Sequence, residues 1–237
     1  ADMVLADDNF ATIVGAVEEG RRIYDNMLKA IQFLLSSNVS EVAAIFAATL
    51  IGFTILKPSQ ILWINLITDT LPALALGVEA ADPRIMQRKP RATDASIFSG
   101  GMGTDILYQG LLIAVLTLAS FFVGLYMETG KLAVAESIDG RTMAFLTLSM
   151  AEIFHSINMR SQRESIFRIK TVNRLLIISV IVGFGATVLV TTVPFLRSAF
   201  GFADTGITEY LIAIILGALV IPVVECVKAF QRRSKKA

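Results

Sequence analysis

The segment from Ile61 to Gly77, ILWINLITDTLPALALG, constrains this chain more than any other. It is apolar enough to sit in lipid, yet Asn65, Thr68 and Asp69 lie at its centre and Pro72 follows them. An ionised carboxylate at bilayer depth is costly, so a membrane helix that carries one has a use for it. Asn65, Thr68 and Asp69 are spaced by three and four residues, which puts all three on one face of a helix. Pro72 lacks a backbone donor, loosening the helix and freeing carbonyls beside the polar cluster. Oxygen ligands on one face of a broken membrane helix describe a hard-cation site. Asn65 or Thr68 alone would read as a polar contact holding helices together. Asp69 tips the reading toward ion coordination.

The rest of the chain supports a membrane reading. Its 237 residues are 54% hydrophobic, and the mean hydropathy of +0.67 is too high for an ordinary soluble domain. Apolar windows of about 20 residues recur along it. The net charge of +1 gives no basis for a nucleic-acid partner, because the basic residues are spread between apolar segments. The single cysteine, Cys226, excludes an internal disulfide and reads as a small buried hydrophobe. The opening ADMVLADDNF has neither an initiator Met nor a basic leader, so the sequence reads as a fragment.

Taken in order, residues 1–22 read as the only soluble stretch. Met3, Val4 and Leu5 suit a short strand; Asp7, Asp8 and Asn9 suit a loop and helix cap; Gly20 suits a break. Residues 23–237 then read as a transmembrane cation-transport domain. Spans are expected at about 30–54, 60–78, 105–127, 142–159, 174–194 and 209–230. The predicted architecture is an all-α membrane protein, a six-helix transmembrane bundle with a short cytosolic remnant. With both ends in the cytosol, inside segments hold seventeen Lys and Arg residues and outside segments four. That asymmetry fits the positive-inside rule, and the basic tail QRRSKKA reads as an anchor to lipid headgroups.

Setting aside Asp105 and Glu209 at the first residues of their spans, four acids fall within spans: Glu41, Asp69, Glu152 and Glu225. Glu225 lies near the cytosolic end beside Lys228 and reads as structural. Glu41, Asp69 and Glu152 lie deeper, on three different spans. With the amides of Asn38 and Asn65 and the Thr68 hydroxyl, they supply the oxygens that Ca2+ takes in six- to eightfold coordination. No Cys or His cluster accompanies them, which argues against zinc or copper. His155, one turn after Glu152, reads as a packed or hydrogen-bonded histidine before a proton relay.

The runs ADMVLADDNFATIVGAVEEGRRIYDNM, SSNVSEV, LWINLITDTLPALALG and DPRIMQRKPR together resemble the C-terminal part of type II P-type ATPases. The similarity is greatest to calcium pumps of the sarcoplasmic-reticulum type. The resemblance implies that the first 20 or so residues end an α/β phosphorylation domain, and that the spans are the fifth to tenth of a ten-helix pump. It also implies that Asn38, Glu41, Asn65, Thr68, Asp69 and Glu152 are calcium ligands, with Asp69 bridging two ions. The chain departs from that type at His155, where the family has Asn, and at Arg84 and Gln87, where it has acids. The DKTGT, TGDGVND and PEGLP motifs of the family are not in this sequence. No catalytic or cofactor-binding residue is therefore expected here, and ATP and Mg2+ would act only in the complete pump, whose N-terminal two-thirds would be the partner of this part.

The implied activity is ATP-driven export of Ca2+ from the cytosol with H+ counter-transport, as Ca2+ and protons compete for the same carboxylates. A short basic tail suits a bacterial plasma membrane. Two alternatives come from other classes. A secondary cation transporter or channel also uses broken helices and buried acids, but it predicts an inverted repeat that the six spans do not show. A non-transporting scaffold predicts buried bases at the depth of the acids, and the sequence places none there.

Overall fold

The computed structural model describes residues 9–90, 92, 96–131 and 133–234. The expected strand at Met3–Leu5, the loop residues Asp7 and Asp8, and Lys235 and Lys236 of the tail lie outside them. Every regular element among the described residues is a helix.

Helix α1 runs unbroken from Phe10 to Ile51. At 1.5 Å per residue it is about 63 Å long, roughly twice the hydrocarbon thickness of a bilayer. The Asn9 side chain caps its start by accepting from the Ala11 N–H, and Gly52, at φ 103°, ends it in the left-handed conformation that glycine tolerates. The break expected at Gly20 does not occur. A glycine inside a helix costs only about 1 kcal/mol, and the helix formers on both sides carry the backbone across it.

The segment after α1 is broken into three pieces: α2 (Pro58–Trp63), a π-helical turn (Ile64–Asp69) and α3 (Thr70–Leu76). Pro72 offers no N–H to the Thr68 carbonyl, and the chain widens in the turn just before it. Side chains take up the carbonyls this exposes. Thr68 Oγ1 donates to Ile64 O at 2.9 Å and Thr70 Oγ1 to Asn65 O at 2.8 Å.

Helices α4 (Met102–Thr129), α5 (Ile138–Asn158) and α6 (Arg174–Thr192) follow, then a short α7 (Pro194–Phe200). The expected last span is two helices, α8 (Ile207–Ala218) and α9 (Val220–Ser234). The interruption at Leu219 sits one turn before Pro222, whose missing N–H leaves the Ala218 carbonyl without its helical partner.

Among the described residues four helical stretches are long and apolar enough to cross a membrane: Phe10–Ile51, Ser99–Thr129, Arg174–Thr192 and Ile207–Arg233, the last joining α8 and α9. Helix α5 is less hydrophobic because it is the centre of the bundle, in contact with α1, α4, α6, α8, α9 and the π turn. It buries Thr142, Thr147, Ser149 and Ser156. Thr142 and Ser156 bond to carbonyls of their own helix and Thr147 to Ser120 of α4 at 2.6 Å, while Ser149 Oγ has no partner among the described residues. Large apolar side chains point the other way: Val42, Phe46, Leu66, Leu74, Val115 and Ile181 are exposed. Apolar outside and small or polar inside is the arrangement lipid favours.

Close helix approach uses glycine. A Cβ on Gly110 of α4 would lie 2.5 Å from Val39 Cγ1 and 2.8 Å from Ser36 O of α1. That contact sets α4 against the part of α1 that carries the polar cluster.

Candidate cation site

Glu41 from α1, Asp69 from the π turn and Glu152 from α5 converge in the interior. One carboxylate oxygen from each lies within 4.8 Å of the other two, and all three residues are buried. Ligand oxygens on one Ca2+ ion sit about 2.3–2.6 Å from it, so opposite pairs are up to about 5 Å apart and the spacing fits. Like charges this close in a dry interior need protons or a cation among them. Among the described residues no Lys, Arg or His pairs with any of the three.

The neutral side chains arrange the acids. Asn65 Nδ2 donates to both oxygens of Glu41, at 2.8 and 3.0 Å. Thr68 Oγ1 lies 2.9 Å from Glu152 Oε2. The Oδ2 atom of Asp69 is buried and has no hydrogen-bond partner among the described residues, leaving its lone pairs open for coordination.

Five of the six expected ligands are thus together: Glu41, Asn65, Thr68, Asp69 and Glu152. Asn38 is not with them. It is exposed, and its Nδ2 donates to Leu34 O one turn back on its own helix at 2.7 Å. The physical reason is angular. At about 100° per residue, Asn38 lies about 60° to one side of Glu41, and the partner helices stand on the other side.

Ser37 occupies the place expected of Asn38. Its Oγ lies 2.7 Å from Asp69 Oδ1 and 2.5 Å from Glu152 Oε1, bridging two helices that come from distant parts of the chain. Sequence reasoning passed over it because a serine in a membrane helix usually bonds to its own backbone. The available signal was its position four residues before Glu41, the spacing that stacks side chains on one face.

His155 is buried on α5, its Nε2 3.0 Å from Ser36 Oγ and its ring beside Phe33 at 6.1 Å. It is a packed, hydrogen-bonded histidine. Glu225 pairs with the buried Lys228 at 3.2 Å, and Lys228 Nζ donates to Asn158 O at 2.7 Å, so this acid is matched by the chain's own cation.

A helical bundle with lipid-type surfaces outside and a three-carboxylate cluster inside is an integral membrane protein with an acidic interior. Comparison with known proteins places it more narrowly: the chain belongs to the family described as cation transporting ATPase, C-terminus, whose match covers residues 53–230. It is similar to calcium-transporting ATPase 1 of Bacillus cereus, 42% identical over 240 residues that cover 96% of this chain and 27% of that protein. Calcium-transporting ATPase 1 of Lactococcus lactis is 34% identical over 98% of this chain and 26% of its own length. An endoplasmic-reticulum-type calcium-transporting ATPase 4 of Arabidopsis thaliana is 30% identical over 96% of this chain and 26% of its own. The chain therefore spans about a quarter of the length of these relatives.

Proposed function

We propose that this chain is the C-terminal, ion-binding part of an ATP-driven pump that exports Ca2+ from the cytosol, with protons returning in exchange. The observation that carries the reading is the convergence of Glu41, Asp69 and Glu152, without a cationic partner among the described residues, in the interior of a membrane bundle. Relatives that match nearly the whole of this chain are named calcium-transporting ATPases. Glu41, Asn65, Thr68, Asp69 and Glu152 form the ligand set; Asn38, on the exposed flank of α1, joins it if a further element supplies the opposite wall. ATP hydrolysis and its Mg2+ belong to the preceding part of the pump.

The hydrogen-bond inventory supports proton exchange. Ser37 has one hydroxyl proton for its contacts with Asp69 and Glu152, and Thr68 has one for Ile64 O and Glu152. Filling all four contacts takes two further protons, and the carboxyls of Asp69 and Glu152 are the groups able to carry them. The oxygens suited to Ca2+ are thus equally suited to protons, so the two compete.

Six spans with both ends cytosolic follow from the Lys and Arg asymmetry. The helical segments 58–76 and 138–158 would then cross the membrane in addition to the four long apolar helices. A bacterial plasma membrane is supported by the bacterial relatives. The long α1 is suited to carry motion from the cytosol to Glu41 and Ser37 as one rigid element.

The test is equilibrium 45Ca binding by the Asp69→Asn variant, in the longest form of the protein that the gene encodes. Loss of a charged ligand lowers affinity on the order of a hundredfold or more. Wild-type affinity in that variant would refute the assignment.

A further inference from the structure

A second cluster of charge lies at the opposite end of the same helices from Gly52, and it shares no residue with the carboxylate cluster. There α1, the 79–88 loop, the end of α5 and the 161–171 loop enclose a cavity of ≈ 470 Å³. This volume falls within the range of ligand-binding pockets. Its four carboxylates are all taken by three arginines. Arg160 meets Glu79 at 2.8 Å, Arg88 meets Asp25 at 2.5 Å and Asp82 at 2.8 Å, and Arg84 meets Glu164 at 3.4 Å.

Four further cations line the cavity with no acid of the lining left for them: Arg22, Lys29, Arg168 and Lys170. Arg22 binds Glu19 outside the cavity, while its Nε is buried and makes no hydrogen bond among the described residues. Among the described residues Lys29 Nζ donates only to Asn26 Oδ1, at 3.0 Å. Arg168 and Lys170 are exposed and enter no ion pair among the described residues. The cavity is therefore an excess of donors and positive charge around space.

The neighbours of these cations are apolar and exposed. Phe167 is 81% exposed beside Arg168, and Val172 is 70% exposed beyond Lys170. The chain then enters α6, whose Leu175 and Ile178 are exposed as well. Basic residues alternating with exposed apolar ones at the start of a membrane helix match the boundary between headgroups and acyl chains.

We propose that this cavity binds a phosphate-bearing anion of two or more negative charges, presented by the headgroup of an anionic phospholipid. The phosphate meets Arg168, Lys170, Lys29 and the positive charge of Arg22. The acyl chains run along the exposed face of α6. This assignment does not depend on which ion the carboxylate cluster binds.

The experiment uses the full gene product in phosphatidylcholine nanodiscs doped with a photoactivatable phosphatidic acid. Adducts are expected within residues 160–178. Replacing both Arg168→Gln and Lys170→Gln should weaken binding roughly thirtyfold, at about 1 kcal/mol per lost surface charge. Arg22→Gln, which removes a further charge from the lining, should weaken it independently. Arg197→Gln, which removes the same charge from an arginine that binds Asp204 instead, should leave it unchanged. Equal labelling of the wild type and both cavity variants would overturn the site. Competition by inorganic pyrophosphate as strong as by dioctanoyl phosphatidic acid would overturn the lipid as its source.

Discussion

Two sets of buried acids in this molecule share a chemistry and differ in their partners. Around the end of α5, Glu79 is held by Arg160 and by the Asn173 amide at 2.8 Å, and Asp105 lies 2.8 Å from Arg163. In the middle of the bundle, Glu41, Asp69 and Glu152 meet, among the described residues, only hydroxyls, an amide and one another. The first set is a clasp: each charge has a permanent counter-charge supplied by the fold. The second can be neutralised only by something that comes and goes, a cation or a proton. The same carboxylate is mortar in one place and, in the function proposed above, a ligand in the other, and the difference is whether an arginine reaches it.

Glu152→Gln tests that contrast with the largest expected effect. It keeps the shape and removes one of three like charges. Ca2+ affinity should fall on the order of a hundredfold, while the unfolding midpoint stays level or rises. Unchanged 45Ca binding together with a lowered midpoint would move Glu152 into the structural set. Arg160→Ala should do the reverse. It strands the buried Glu79 and should cost about 3 kcal/mol, read as a lower melting temperature in detergent with ion affinity retained. A loss of ion binding without loss of stability would erase the distinction between the two regions.

Ser37→Ala is expected to be milder. Removing the bridge between Asp69 and Glu152 should lower affinity about tenfold, corresponding to about 1–2 kcal/mol for a hydrogen bond to a charged group. Asn38→Ala serves as its comparison: in the described helices it touches only Leu34 O, so a larger effect than that of Ser37→Ala would show a ligand role from the other flank.

The smallest effect concerns pH and the loop clasp. Burial works upward on the Asp82 carboxyl, but the Arg84 backbone N–H and the Arg88 guanidinium outweigh it and hold it below its ordinary value. A depressed carboxyl stabilises the fold above its unfolded pKa, and the contribution fades as pH falls through the folded one. Asp82→Asn should therefore melt slightly below wild type at neutral pH. The gap should close below about pH 4. A gap that widens in acid would contradict the clasp.

Much of this was legible in the sequence, for identifiable reasons. Helical periodicity and apolar run length are local properties, so the long helices from Met102, Ile138 and Arg174 could be anticipated. Pro72 marked the broken segment because a missing N–H acts on its own helix. Proline at 222 carried the same signal, yet the apolar run around it read as one uninterrupted span. Gly20 misled because a small propensity cost is easily overridden by a continuous helix on both sides. Arg160 and Glu79 are 81 residues apart, and no local rule pairs them.

The sequence alone determined that α1, the segment around Asp69 and α5 each carry one carboxylate deep in an apolar helix. It also determined that Ser, Thr and Asn accompany them, with His155 one turn after Glu152 and no Lys or Arg at their depth. It left open which flank of Glu41 would face the other two. Ser37 lies about 40° to one side of Glu41 and Asn38 about 60° to the other, so helical geometry alone hardly separates them. Packing decided it: Gly110 lets α4 close onto Val39 and Ser36, and α5 and the π turn stand on the Ser37 side. Which face of a helix is inside is a property of its neighbours, and neighbours exist only once the chain has folded.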